Sequence, residues 1–293
     1  LEQAKLLVRG PVGSKATLVF RNPGSDNLRV AILTALDDEG ATLDMVDFAA
    51  RPGFSDKMDF WMVPEGYGYI RLRPEVDRDD RDAYPARILE RFRGAIRSFI
   101  ASGAEGVIVD IRGYYDGLDE LAADICGFFF TDEEFYESLE VYEQRDGGFA
   151  KIGDLTITPR EPHFDGPVVA LINPGTKSSG EGIARSLSLA PKGSTVGFHG
   201  TNGSFGLAGG EIVMPGGYTI KYPYGFSLDR QGRVQIDSRF GEGGATPDLR
   251  VPKNAQNVLA FAEGHDVELE YAVDHLNRLA AKESGDNGPP MVQ

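Results

Sequence analysis

The apolar positions of this chain change period along its length, and those changes mark its elements. Near the start, Leu6-Leu7-Val8 runs into the turn Arg9-Gly10-Pro11-Val12-Gly13-Ser14, and Ala16-Thr17-Leu18-Val19-Phe20 closes at Asn22-Pro23-Gly24. Arg29-Val30-Ala31-Ile32-Leu33 reads as a second strand. Apolar runs bounded by Gly, Pro and Asn are strand signals. So short a stretch cannot close a core of its own, so residues 1–35 read as the end of a small β-rich module. Residues 36–60, acidic and broken at Arg51-Pro52-Gly53, read as a linker.

A strand–helix rhythm follows and predicts an α/β core over 61–282. Gly68-Tyr69-Ile70-Arg71-Leu72 is β-prone, and Ile88, Phe92, Ile96, Phe99 and Ile100 recur at helical spacing before Gly103. Val107-Ile108-Val109 and Pro167-Val168-Val169-Ala170-Leu171-Ile172 are continuous apolar runs, as buried parallel strands require. Leu118–Phe130 and Glu181–Ala190 read as helices, Thr195–Phe198 as a third buried strand, and 211–251 as short strands with Gly-rich turns. Asp266–Lys282 is an amphipathic helix, and 283–293 a disordered tail.

Charge narrows the function classes. With 30 Lys and Arg against 45 Asp and Glu, the net charge is -15. Phosphate contacts need clustered cations, so nucleic acid is excluded as a partner. The lone Cys126 allows no internal disulfide and no cysteine-based zinc site, and its apolar neighbours make it a buried structural thiol. No metal and no cofactor are expected. No apolar stretch reaches membrane-spanning length.

Two strand-to-helix turns hold the candidate chemistry: Asp110-Ile111-Arg112-Gly113-Tyr114-Tyr115-Asp116-Gly117 and Asn173-Pro174-Gly175-Thr176-Lys177-Ser178-Ser179-Gly180-Glu181. Such turns lie at the carboxyl ends of parallel strands, where ligands bind. A Ser opening a helix has free backbone N–H groups beside it, ready to receive a developing negative charge. Ser178 or Ser179 is therefore a candidate nucleophile. The same string also reads as a helix cap, with Glu181 completing a capping box. Lys177 is either a solvated turn residue or a base.

Taken in order, these segments together with Val196-Gly197 and Pro247-Asp248 resemble the C-terminal processing (tail-specific) peptidases. Their relatives are the tricorn core protease and the interphotoreceptor retinoid-binding proteins. The resemblance spans about residues 6 to 280. It implies a crotonase/ClpP-like core of stacked βαβ units, preceded by the C-terminal part of a PDZ-like module that captures substrate C-termini. It places the nucleophile on Ser178 and oxyanion donors on the N–H groups of Ser179 and Gly117. The family's paired glycines fall on Asp116-Gly117, of which only Gly117 matches.

The general base departs from the family pattern. The position of the peptidase Lys reads Gly203, and the tricorn-type late carboxylate has counterparts in Asp237 or Glu242. Of the four histidines, His199 follows the third strand on the loop that normally carries the Lys. It reads either as the base or as a loop imidazole. A base from another subunit of a homo-oligomer, or from an upstream region, is also open. The expected function is a serine endopeptidase acting on unfolded or C-terminal protein segments through an acyl-enzyme on Ser178. The alternative is a catalytically impaired homologue that binds peptide or a hydrophobic ligand in a cleft lined by Tyr114, Tyr115, Phe128, Phe129 and Phe130. Those aromatics read equally as core. Relatives are mostly exported, which points to the cell envelope or periplasm.

Overall fold

The buried apolar runs of the sequence become neighbouring strands of one sheet. The computed structural model describes residues 11, 13–21, 26–35, 58–73, 83–114, 117–206, 209–236 and 244–283. Their strands, in chain order, are β1 (Lys15–Arg21), β2 (Leu28–Thr34), β3 (Met58–Met62), β4 (Gly68–Leu72), β5 (Val107–Asp110), β6 (Glu134–Glu143) and β7 (Gly148–Ile157). There follow β8 (Val168–Leu171), β9 (Gly193–Gly197), β10 (Gly209–Val213), β11 (Thr219–Pro223), β12 (Gly225–Leu228) and β13 (Leu249–Arg250). The helices are α1 (Tyr84–Ala101), α2 (Asp119–Cys126), α3 (Ser179–Leu189), α4 (Ala255–Ala262) and α5 (Val267–Glu283).

The chain divides into two units. The first holds the described residues of 1–54 together with 253–265, and the second 55–252 with 266–283. In the first, β1 and β2 pair antiparallel as a hairpin, and Asn254 caps α4 by accepting from the Asn257 N–H at 2.8 Å.

In the second unit a six-stranded sheet runs in the order β13-β9-β8-β5-β4-β3. The strands from β4 to β13 are parallel, and β3 pairs antiparallel on the β4 edge. Strand order thus advances steadily along the chain, and α1 and α3 each return it to the adjacent parallel strand. Val107, Ile108, Val109, Val169, Ala170 and Leu171 are wholly buried, which is why these stretches read as continuous apolar runs. Removing each of the Val, Ile and Leu side chains from water contributes about 1.5–3 kcal/mol. The stripe of α1 is buried at Ile88, Phe92, Ile96 and Phe99, whereas Ile100 is 45% exposed and leaves the expected face.

Several expectations shift. The linker expected through residue 60 ends earlier, because Met58–Met62 is β3. Helix and strand ends move by a few residues: α2 stops at Cys126 and a 3-10 turn covers Gly127–Phe129, and the third buried strand is Gly193–Gly197. Helix α5 reaches Glu283, and residues 284–293 lie outside the described residues. The aromatics offered as a ligand cleft are core: Tyr114, Phe128, Phe129 and Phe130 are at most 5% exposed and belong to the main apolar cluster. Tyr115 lies outside the described residues. Cys126 is buried as expected, and burial pushes its thiol up to about 12 against the easing effect of a Ser186 hydrogen bond.

The chain between α2 and β8, for which the apolar period gives no element, forms the long hairpin β6–β7, joined by β12 into a three-stranded sheet. Register shifts after Phe135 and Leu139 break its alternation, which hides it from a period-two reading. No helix among the described residues is long and apolar enough to cross a membrane.

Candidate active site

Strands β5 and β8 are parallel neighbours with Asp110 opposite Leu171, so the turns leaving their carboxyl ends lie side by side. Side chains and backbone lock the two turns together. Thr176 Oγ1 donates to the Ile111 carbonyl at 2.9 Å. Asn173 Oδ1 accepts from the N–H of Gly113 at 3.2 Å and of Gly175 at 2.9 Å, and the Lys177 N–H donates to the Tyr114 carbonyl at 2.7 Å.

Ser178 sits where the second turn enters α3, with φ 50° and ψ −127°. Among the described residues it is the non-glycine residue with positive φ. An ordinary N-cap residue adopts β-region angles, so capping does not account for this conformation. Holding a serine there costs about 1–3 kcal/mol, and such strain concentrates at functional positions. The capping box is formed all the same, the Ser178 side chain engaging the Glu181 backbone and the Glu181 carboxylate accepting the Ser178 N–H. Ser178 is half-buried, and Lys177 beside it is exposed.

The next residue offers an unpaired donor. The N–H groups of Ser178, Gly180 and Glu181 have acceptors, whereas that of Ser179 has none among the described residues. Ser179 is fully buried and its hydroxyl also lacks a hydrogen-bond partner. Gly117 packs directly on it: a Cβ at Gly117 would lie 2.4 Å from Ser179 Oγ and 2.6 Å from the Tyr114 hydroxyl. Only a residue without a side chain lets the first turn approach the helix start this closely. Ser178, Ser179 and Gly117 are thus brought together.

Glu181 ties this elbow to the loop after β9. It is fully buried, and its two oxygens accept five hydrogen bonds. Oε1 takes Thr201 Oγ1 at 2.7 Å and the Gly203 N–H at 2.6 Å. Oε2 takes the N–H of Ser178 at 3.2 Å, the N–H of Ser204 at 2.7 Å and Ser204 Oγ at 3.1 Å. Donors to an ionised acceptor are worth more than neutral pairs, which offsets burial of an anion without a cation. Glu181→Gln turns one acceptor oxygen into an NH2 facing donors. We expect it to lower stability by about 2–3 kcal/mol and to reduce turnover, checked by urea unfolding and by kcat.

His199 is half-buried just beyond the carboxyl end of β9, on this same loop. The hydrogen bonds to α3 come from its neighbours Thr201, Gly203 and Ser204, and the Asn202 N–H donates to the Thr176 carbonyl at 3.0 Å. Gly203, expected from the resemblance at the position of the family Lys, has φ +91°, a conformation that L side chains rarely adopt. Asp116, Asp237 and Glu242 lie outside the described residues.

Beneath the first turn lies an ion cluster that residue spacing does not announce. Arg112, 6% exposed, binds Asp110 through Nε at 2.9 Å and through a second nitrogen at 2.7 Å. It also grips Asp266 at 2.6 and 2.7 Å and Glu268 at 3.0 Å. Burial alone would raise the Asp110 carboxyl, but the Arg112 guanidinium holds it below its ordinary value. Glu268 is raised, since burial outweighs its pairing with Arg112. Glu268 Oε1 also accepts the Phe198 N–H at 2.8 Å, which fastens α5 to the loop carrying His199.

This sequence of elements and turns has relatives. The carboxyl-terminal-processing protease of Synechocystis is 27% identical over 201 residues, covering 67% of this chain and 40% of that protein. Its counterpart in Picosynechococcus is 23% identical over 278 residues, covering 95% of this chain and 58% of that protein. The chain thus spans about half the length of the curated relatives it matches. Among solved structures, mature CPAF complexed with lactacystin superposes with a TM-score of 0.62 at 13% identity, over 95% of this chain and 70% of that one. Residues 67–251, from the start of β4 through β13, match Peptidase family S41, and the chain belongs to that family.

Proposed function

We propose that the chain is a serine endopeptidase of the C-terminal processing type, built on a crotonase-like core, that cleaves unfolded or C-terminal protein segments through an acyl-enzyme on Ser178. The observation that carries this reading is the left-handed elbow at Ser178 followed by Ser179, whose N–H is unpaired among the described residues and whose side chain packs on Gly117.

In this reaction Ser178 Oγ adds to a peptide carbonyl carbon as its proton passes to the base. The carbonyl oxygen becomes an oxyanion held by the N–H groups of Ser179 and Gly117. The intermediate collapses to an ester on Ser178, and the leaving amine takes the proton from the base. Water then hydrolyses the ester with the proton movements reversed. We assign the base to His199, because the loop that bears it is bonded to the nucleophile's helix through Glu181 and because imidazole titrates near neutral pH. Export to the cell envelope and action on flexible polypeptide chains belong to the same reading.

The competing reading, a binder without turnover, draws on Gly203 standing where the family has Lys. Incubation with a fluorophosphonate, followed by peptide mass mapping, separates the two. An adduct on Ser178 that is absent from Ser178→Ala supports the peptidase. A folded wild-type protein with no adduct, no reaction with lactacystin and no cleavage of casein rejects it in favour of the binder.

A further inference from the structure

Behind the α3 elbow, Tyr136 of β6 stands buried with its hydroxyl 3.4 Å from Asp119 Oδ1 and 3.5 Å from the carbonyl oxygen of Ser179. It reaches that position because Gly182 has no side chain: a Cβ there would lie 1.8 Å from the hydroxyl. Phe205 holds the ring edge-on at 5.6 Å. A phenol has one O–H, so Tyr136 donates to one of its two acceptors at a time.

Which acceptor wins depends on the surrounding acids. Asp119 opens α2 two residues after Gly117, and Glu120 follows it. Glu137, beside Tyr136 on β6, is 3% exposed and its Oε2 lacks a hydrogen-bond partner. Neither Asp119 nor Glu137 forms an ion pair among the described residues. Tyr136 also faces Tyr114 and Cys126, which are uncharged at neutral pH. Arg185 on α3 lies near Tyr136 and Asp229. Two desolvated carboxyl groups within electrostatic reach and without a bonded cation do not both ionise readily. Burial first, then the charges of Glu137 and Glu120, push Asp119 up to about 7. Burial likewise raises Glu137, against a hydrogen bond from Ser227.

We infer that Asp119 is a positioning residue whose proton directs the Tyr136 hydroxyl onto the Ser179 carbonyl, with buried Glu137 the neighbouring carboxyl that favours this proton. The inference rests on the assignment of Ser179 to the oxyanion site. Protonated, Asp119 donates to the phenol oxygen, and the phenol donates to Ser179, steadying the residue whose N–H receives the oxyanion. Ionised, Asp119 takes the phenol proton in a charge-assisted bond about twice as strong as a neutral one. The Ser179 carbonyl then loses the phenol as a donor.

Two measurements test this on the whole chain. The first is kcat and KM between pH 5 and 9. Wild type should lose kcat above the Asp119 transition and level off near the kcat of Tyr136→Phe, with KM unmoved, a limb separate from any acid limb of the base. Asp119→Asn should lack the alkaline limb whatever its absolute kcat, Tyr136→Phe should lack it with a lower kcat throughout, and Glu137→Gln should move it to lower pH. The second needs no activity: thermal melting against pH. The native Asp119 carboxyl binds its proton more tightly than the ordinary aspartate of an unfolded chain, near ~3.9. Its contribution is therefore complete below ~pH 4 and is lost as pH rises through its native transition. Asp119→Asn should remove that fall from the melting curve. A wild-type alkaline limb and an unchanged melting slope in Asp119→Asn would overturn the inference while Ser178 labelling stood. Conversely, if Ser178 fails to label, the melting slope still judges the Asp119 proton.

Discussion

Replacing Ser178 with alanine should abolish cleavage of a disordered protein substrate, lowering kcat/KM by about 10⁴-fold or more, while leaving far-UV circular dichroism unchanged. A hydroxyl that is merely a helix cap predicts something else: a loss of about 1 kcal/mol in stability with activity retained. The backbone separates the two further. Ser178 holds φ 50° although it carries a side chain, and glycine populates such angles freely. Ser178→Gly should therefore raise the melting temperature, or at least leave it unchanged, while destroying turnover as completely as alanine does. A stability gain coupled to loss of function is the signature of strain kept for a task. If Ser178→Gly instead unfolds early and Ser178→Ala keeps cleaving, the elbow is only a cap.

The position of Ser178 was legible because the strands leading to it are buried on both faces. Val107–Asp110 and Val168–Leu171 had to be continuous apolar runs, and the turns after them had to lie at one end of the sheet. The order of those runs along the chain also carried the family resemblance. What surrounds the serine was less legible, for physical reasons. The proposed oxyanion donors are backbone N–H groups, which have no letter of their own; Gly117 entered only through the family's paired glycines. Glu181 appeared as a capping residue, and four of its five donors come from residues 20 to 23 positions away that no periodicity links to it. Tyr136 and Glu137 stand on a strand whose register shifts and charges mask its pattern. His199 was offered as a base from its place on the loop that carries the family Lys, and neighbours of His199 on that loop bond Glu181 of the helix that Ser178 opens.

The partners of Arg112 were the least visible of all, and its removal should have the largest effect on stability. Asp266 and Glu268 lie 154 and 156 residues downstream, on a segment whose amphipathic pattern shows only its apolar face. Arg112→Ala leaves Asp110 and Glu268, which are 2% and 5% exposed, without their cation. Breaking a buried ion pair from one side costs about 3–5 kcal/mol, because the remaining charge is uncompensated. Lysine should recover little of this, since a single ammonium cannot reproduce a fork that grips Asp110 and Asp266 at once. The pH dependence tells charge loss from packing loss. Without Arg112, burial raises Asp110 and keeps Glu268 high, so the native state of the variant binds protons that the unfolded chain releases. Its stability should then be greatest at low pH and fall as pH rises through those raised values. The deficit relative to wild type should shrink between pH 8 and pH 5 in urea unfolding; a deficit independent of pH would mean that Arg112 matters only for the space it fills. Because Glu268 also holds the Phe198 N–H, the freed loop should lower kcat even in conditions where Arg112→Ala stays folded, and a folded variant with wild-type kcat would detach this cluster from the site.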